Sequence, residues 1–163
     1  MVRQCLLSMM LATALLAGAT GRQQAPSPSA QNTANDAAND PSGMYSFLKD
    51  GEFVQLTLEE GKLSGYVSRY GDTDSDKGSF IDQFFDKASL DGDRLSFTTK
   101  TVHGVWYAFR GTIMKTAGKQ PGQEGYRVIK GTLVQHTTDA TKADKPRQRD
   151  VEFKSFPQDL SKP

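Results

Sequence analysis

The side chains able to do chemistry are few, and they gather in two stretches. The first is Arg69 followed by Gly71-Asp72-Thr73-Asp74-Ser75-Asp76, and the second is His103-Gly104-Val105-Trp106-Tyr107; His136 is the remaining histidine. Asp72, Asp74 and Asp76 alternate, and alternate carboxylates on a loop can converge on one hard cation such as calcium. The helix-flanked calcium loop does not fit, because Lys77 stands where its glycine is required and Gln83 where its bidentate glutamate is required. The run reads as a solvated acidic turn closed by Gly78, with an irregular calcium loop as the one cofactor reading left open. His103 and His136 could join Asp72 or Asp76 around zinc, which in catalytic sites takes three protein ligands and a water. The short ligand spacing that marks such sites is missing, so both histidines read as polar loop residues.

Catalysis by a nucleophile finds no support. There is no G-x-S-x-G turn, and the one cysteine, Cys5, lies in the N-terminal apolar run. A carboxylate pair for glycoside cleavage stays open, since spacing along the chain does not report separation in space. No catalytic residue is assigned, and a non-enzyme is expected. The aromatic stretch offers two faces: Tyr107 shares one with Val105, Phe109 and Ile113 and belongs by pattern to a core. Trp106 shares the other with Ala108 and Arg110, where an aromatic ring beside a guanidinium can form a contact patch or simply cover neighbouring strands.

These residues need a scaffold, and the pattern after residue 42 supplies one. Val54, Leu56 and Leu58 alternate with Phe53, Gln55 and Thr57, Leu63, Gly65 and Val67 with Ser64, Tyr66 and Ser68, Leu95 and Phe97 with Ser96 and Thr98, and Val105, Tyr107 and Phe109 with Trp106, Ala108 and Arg110. Period two marks half-buried strands. Asp50-Gly51, Glu60-Gly61 and Asp91-Gly92 sit between these runs and provide the positive φ of tight hairpins, with Gly104 serving a further reversal. The spacing predicts strands over 43–49, 52–59, 62–70, 78–90, 94–101, 104–115, 124–136 and 148–156, the fourth bending at Phe84-Phe85. Eight antiparallel strands in chain order predict an all-β meander closing into a small barrel or flattened sandwich. In a meander alternate connections share a rim. One rim then collects Asp50-Gly51, residues 70–77, 101–104 and 137–149, which makes Arg69, Asp72, Asp76, His103, Trp106, Tyr107 and His136 the expected ligand-binding set.

Gly43-Met44-Tyr45, then Val54-Gln55-Leu56-Thr57-Leu58, then Gly61-Lys62-Leu63-Ser64-Gly65-Tyr66 resembles the opening of avidin-like and lipocalin-like barrels, which start Gly-x-Trp or Gly-x-Tyr and run a second strand into a Leu-x-Gly turn. The resemblance covers about 25 residues and implies the barrel architecture only. Trp106 is the single tryptophan, so the aromatic biotin box of avidins is missing, and Tyr45 replaces the usual lipocalin tryptophan.

The N-terminus reads as an export signal. Arg3 precedes an apolar run from Cys5 to Ala17, and Ala17-Gly18-Ala19 fits a cleavage site. At 13 residues the run is too short for a membrane span, which needs about 20. Ala19 stands where a lipoprotein would carry its cysteine. The expected organisation is a signal peptide over 1–19, a Pro-, Ala- and Asn-rich linker over 20–41, a β domain over 42–157 and a tail over 158–163. Loss of Arg3 with the signal leaves 19 basic against 19 acidic side chains. That balance argues against a nucleic-acid partner, which calls for a basic excess. No membrane insertion is expected once the signal is cleaved. The expected function is a secreted or periplasmic module binding a small molecule or a protein. The alternatives are a lipocalin-like carrier of an apolar ligand between Tyr107, Phe97 and Phe109, and a metal-dependent or carboxylate-based hydrolase.

Overall fold

A computed structural model describes residues 40–71, 74, 76–138 and 143–158. The proposed signal peptide and the linker up to residue 39 lie outside the described residues, as do Asp72 and residues 159–163. Among the described residues the chain forms eight strands and no helix: β1 (Gly43–Ser46), β2 (Phe53–Glu59), β3 (Lys62–Tyr70), β4 (Phe80–Asp91), β5 (Arg94–Thr99), β6 (Val105–Lys115), β7 (Arg127–Thr137) and β8 (Arg147–Lys154). Every neighbour in the sheet is a neighbour in sequence, and every pairing is antiparallel. The ends meet as well. Tyr45 bridges Ser155, Phe156 donates its N–H to the Met44 carbonyl at 2.9 Å, and the Lys154 N–H reaches the Ser46 hydroxyl at 3.0 Å. The sheet is thus a nearly closed barrel, which leaves few unpaired edges.

Hairpin chemistry sets the register. Glu60 and Gly61 carry φ of +51° and +76°, the two positive values of a type I′ turn, and Glu59 pairs with Lys62 across it. Two strand ends fall three residues short of the predicted bounds, the end of β1 and the start of β7. After Ser46 the chain leaves β1, because Phe47 turns inward onto Tyr107 and Phe153 and bonds back to Glu52. Residues 124–126 form a turn, with Tyr126 N–H on the Gln123 carbonyl, and β7 begins only at Arg127.

Buried side chains pack the interior. Alternate side chains of all strands point inward, and Tyr45, Val54, Leu56, Val67, Phe97, Phe109, Ile129, Leu133 and Phe153 are buried. A row of rings crosses it: Phe85 on Phe97 at 4.4 Å, Phe97 on Phe109 at 5.2 Å, Phe109 on Phe153 at 5.5 Å. Each such pair contributes about 0.5–1.5 kcal/mol beyond its area. Gly111 faces Gly131 across β6 and β7, and a Cβ on Gly131 would lie 2.2 Å from the Arg110 carbonyl oxygen. That glycine pair permits the close approach of the two strands.

The wall is split on one side. Pairing of β3 with β4 ends at Tyr66 opposite Phe84, while pairing of β4 with β5 starts at Phe85 and shifts register between Phe85 and Lys87. The register shift falls at Asp86, next to the bend expected at Phe84-Phe85. Beyond it Lys62–Gly65 pair only with β2, and Lys87–Asp91 only with β5.

Candidate functional site

The rim that carries the β1–β2, β3–β4, β5–β6 and β7–β8 connections holds several of the expected residues. His103 and Gly104 have φ of +50° and +75° and form a tight turn closed by reciprocal backbone bonds between Val102 and Val105. Histidine is among the non-glycine residues that tolerate this region. The turn aims the His103 ring at the β3–β4 connection, where Nδ1 lies 2.5 Å from Asp76 Oδ2; Asp76 is nearly buried, whereas the His103 side chain is 53% exposed. A carboxylate on Nδ1 fixes the ring's orientation. His136 repeats the arrangement, with Nδ1 2.7 Å from Asp144 Oδ2 on the β7–β8 connection. Its ring stacks flat on Trp106, centroids 3.6 Å apart and planes within 5°. The Thr138 N–H donates to the Gly104 carbonyl at 2.7 Å and ties these two parts of the rim together.

Other expected members sit elsewhere. Arg69 follows Leu63, Gly65 and Val67 in inward parity, and it is 2% exposed instead of lying on an open mouth. Its Nε donates to Gln83 Oε1 at 2.7 Å and its Nη1 to the Tyr70 carbonyl at 2.9 Å. Gln83, fully buried, donates in turn to the carbonyls of Val105 at 2.8 Å and Lys100 at 3.3 Å. Tyr107 is a core residue against Phe47. Of the three aspartates weighed for calcium, Asp72 lies outside the described residues, Asp74 is exposed, and Asp76 is engaged by His103. Among the described residues no group of three His, Cys, Asp or Glu side chains gathers as metal ligands.

Two features were not singled out from sequence. Glu52 is buried at the rim and accepts the N–H groups of Lys49 and Tyr70, each at 3.1 Å. On the outside of β2–β4, five rings line up. Phe53 meets Tyr66 at 5.9 Å, Tyr66 meets Phe84 at 5.5 Å, and Tyr70 stacks on Phe80 at 4.5 Å. Phe80 and Phe84 are 52% and 56% exposed. The signal was present in the alternation of Phe80, Asp82 and Phe84 with Ile81, Gln83 and Phe85, in which both faces of one strand carry rings. Tyr66 belongs with these rings on the β2–β4 side.

Beside this strip the split in the wall opens as a groove of about 790 Å³. Its floor includes Leu63, Phe85 and Ala88, and the Tyr66–Phe84 rung closes one end. Gly65 makes room for the floor, since a Cβ there would lie 2.7 Å from the Phe85 ring. The chain matches no known protein family, and neither a curated protein nor a solved structure is detectably similar to it.

Proposed function

We propose that the protein is an exported interaction module, a calycin-like barrel that acts by binding a partner on the outer face of β2–β4. One observation carries the reading: Phe80 and Phe84, large aromatic side chains more than half exposed, lie on one face with Phe53, Tyr66 and Tyr70. Scattered apolar residues on a surface need no explanation, but two groups of rings, Phe53–Tyr66–Phe84 and Tyr70–Phe80, on one face of a sheet mark a contact site. Aromatic residues are also the ones that dominate binding energy in interfaces. The alternative of a carrier draws no support from the interior, where Phe97 and Phe109 stack on each other and Tyr107 packs on Phe47. Export is favoured by Arg3, the apolar run to Ala17 and the small residues up to Ala19. The rim supports a second reading, contact with a small polar ligand, through the half-exposed imidazole that Asp76 orients.

Site-specific photocrosslinking tests the preferred reading. A benzoylphenylalanine replacing Phe84 is expected to give a discrete adduct in the exported fraction of the producing cell, identified by mass spectrometry. The same group replacing the exposed Arg110 on β6, or His103 at the rim, is expected to give none. Adducts at 103 alone would move the working surface to the rim, and equal adducts at all three positions would refute a defined face.

A further inference from the structure

The groove between β3 and β4 joins three properties that seldom coincide. Among the described residues it has free strand edges on both sides, because Lys62–Gly65 pair with nothing toward β4 and Lys87–Asp91 with nothing toward β3. An open edge presents backbone N–H and C=O groups in register for another strand. It has an apolar floor of Leu63, Phe85 and Ala88, with the Tyr66 and Phe84 rings at the closed end. And its lining carries the cationic side chains Lys62, Lys87 and Lys100 and one carboxylate, Asp86, with Glu59 beside Lys62 across the hairpin. Its volume of about 790 Å³ falls within the range of ligand sites, roughly 300–1,000 Å³.

We infer that this groove takes an extended acidic peptide segment, which adds as a strand to the free edge of β3 or β4 and places its carboxylates among Lys62, Lys87 and Lys100. The inference rests on the interaction reading above and names the partner's chemistry. The edges ask for a polypeptide backbone, the floor for apolar side chains on alternate positions, and the lysines for negative charge on the positions between. A second copy of the same groove is disfavoured as occupant, since it would set lysine against lysine. Free edges of this kind invite unspecific pairing, and lysines beside them discourage it. An acidic partner converts the same charges from a guard into a recognition element.

The test uses the synthetic peptide acetyl-TVEVDVEVT-amide, followed by amide chemical shifts of the labelled protein. Shifts are expected at Lys62–Gly65 and Lys87–Asp91 and not at His103 or His136. The counterpart with Lys for every acidic residue is expected not to bind. Lys62→Glu combined with Lys87→Glu, both at exposed positions, is expected to weaken binding by about tenfold or more at low salt. Alternate N-methylation of the peptide backbone, which keeps charge and side chains but removes edge hydrogen bonds, is expected to abolish binding. If the methylated peptide binds as well as the parent, strand addition is wrong while an aromatic docking face survives. If neither peptide binds but an acidic oligosaccharide shifts Tyr66 and Phe84, the partner is a glycan and the inference falls. Binding of no probe, together with no crosslink at position 84, removes both this inference and the reading it rests on.

Discussion

Replacing Gln83 by leucine keeps the volume and removes the polar atoms of a fully buried side chain. The substitution takes an acceptor at 2.7 Å from the Arg69 guanidinium and donors from two carbonyl groups, those of Val105 and Lys100. A bond to a charged group is worth about 1.5–3 kcal/mol and a neutral one about 0.5–1.5 kcal/mol, and unsatisfied buried groups incur the desolvation penalty in full. Against this stands about 1 kcal/mol gained from the more apolar side chain. The net expectation is a loss of about 3 kcal/mol, in line with the cost of stripping a partner from a buried charge. Urea denaturation, followed through the single tryptophan Trp106, measures it. With a slope of about 1.5 kcal/mol per molar, the midpoint should fall by about 2 M with the slope unchanged. Arg69→Met in the same background isolates the pair, and the coupling energy should reach about 1.5 kcal/mol or more. A loss below about 1 kcal/mol, additive with Arg69→Met, would refute the claim that this knot holds β3, β4 and the start of β6 together.

Other outcomes follow from single contacts. Burial pushes the Tyr45 hydroxyl up to about 12 from 10.0, with Arg127 pulling it back and Asp40 adding slightly. The folded state thus keeps this proton longer than the unfolded chain, so the stability it confers is complete below pH 10 and is lost as pH rises through 12. Relative to Tyr45→Phe, the wild type should lose about 1.4 kcal/mol per pH unit across that window, about 2.7 kcal/mol in all, measured as the difference between two denaturation series. At neutral pH Tyr45→Phe itself should cost about 1 kcal/mol through the lost bond to the Pro41 carbonyl at 2.6 Å. Gly131→Ala should destabilise by about 1–3 kcal/mol, because the new Cβ meets the Arg110 carbonyl and Gly111, and calorimetry would show it as a lowered melting temperature. His103→Asn should keep the turn and lose about 1 kcal/mol with the Asp76 contact. His103→Val should cost about a further 1–2 kcal/mol, since a β-branched side chain is forced to φ +50°.

Much of the architecture was legible because period-two patterning and X-Gly turns are local signals. The meander, the eight strands and the pairing of neighbours are all in the alternation. The end of β1 and the start of β7 were not, because Phe47 leaves its strand for a tertiary contact and residues 124–126 are turned by the Tyr126 N–H on the Gln123 carbonyl and tied by the Gly125 N–H to the distant Ser155 carbonyl. At the rim, chain-order pairing is what brings Asp76 to His103 across 27 positions. Arg69 shows the opposite case. Its parity with Val67 pointed inward, but a charged side chain suggested the surface, and its bonds to Gln83 and to the Tyr70 carbonyl show how the interior accommodates it. The groove was illegible because it depends on a register shift: Gly65 and Phe85 reveal nothing in sequence about a ladder that stops one residue short of them.

The groove and the partner inferred for it depend on β3 being paired on both sides in one half and on one side in the other. Backbone hydrogen exchange on the free protein reads this directly, amide by amide. Strong protection throughout Ser68–Tyr70 and fast exchange at alternate amides of Lys62–Gly65 is the expected pattern. Uniform slow exchange along the whole of β3 would mean that the wall is continuous, and the groove with its partner would have to be abandoned.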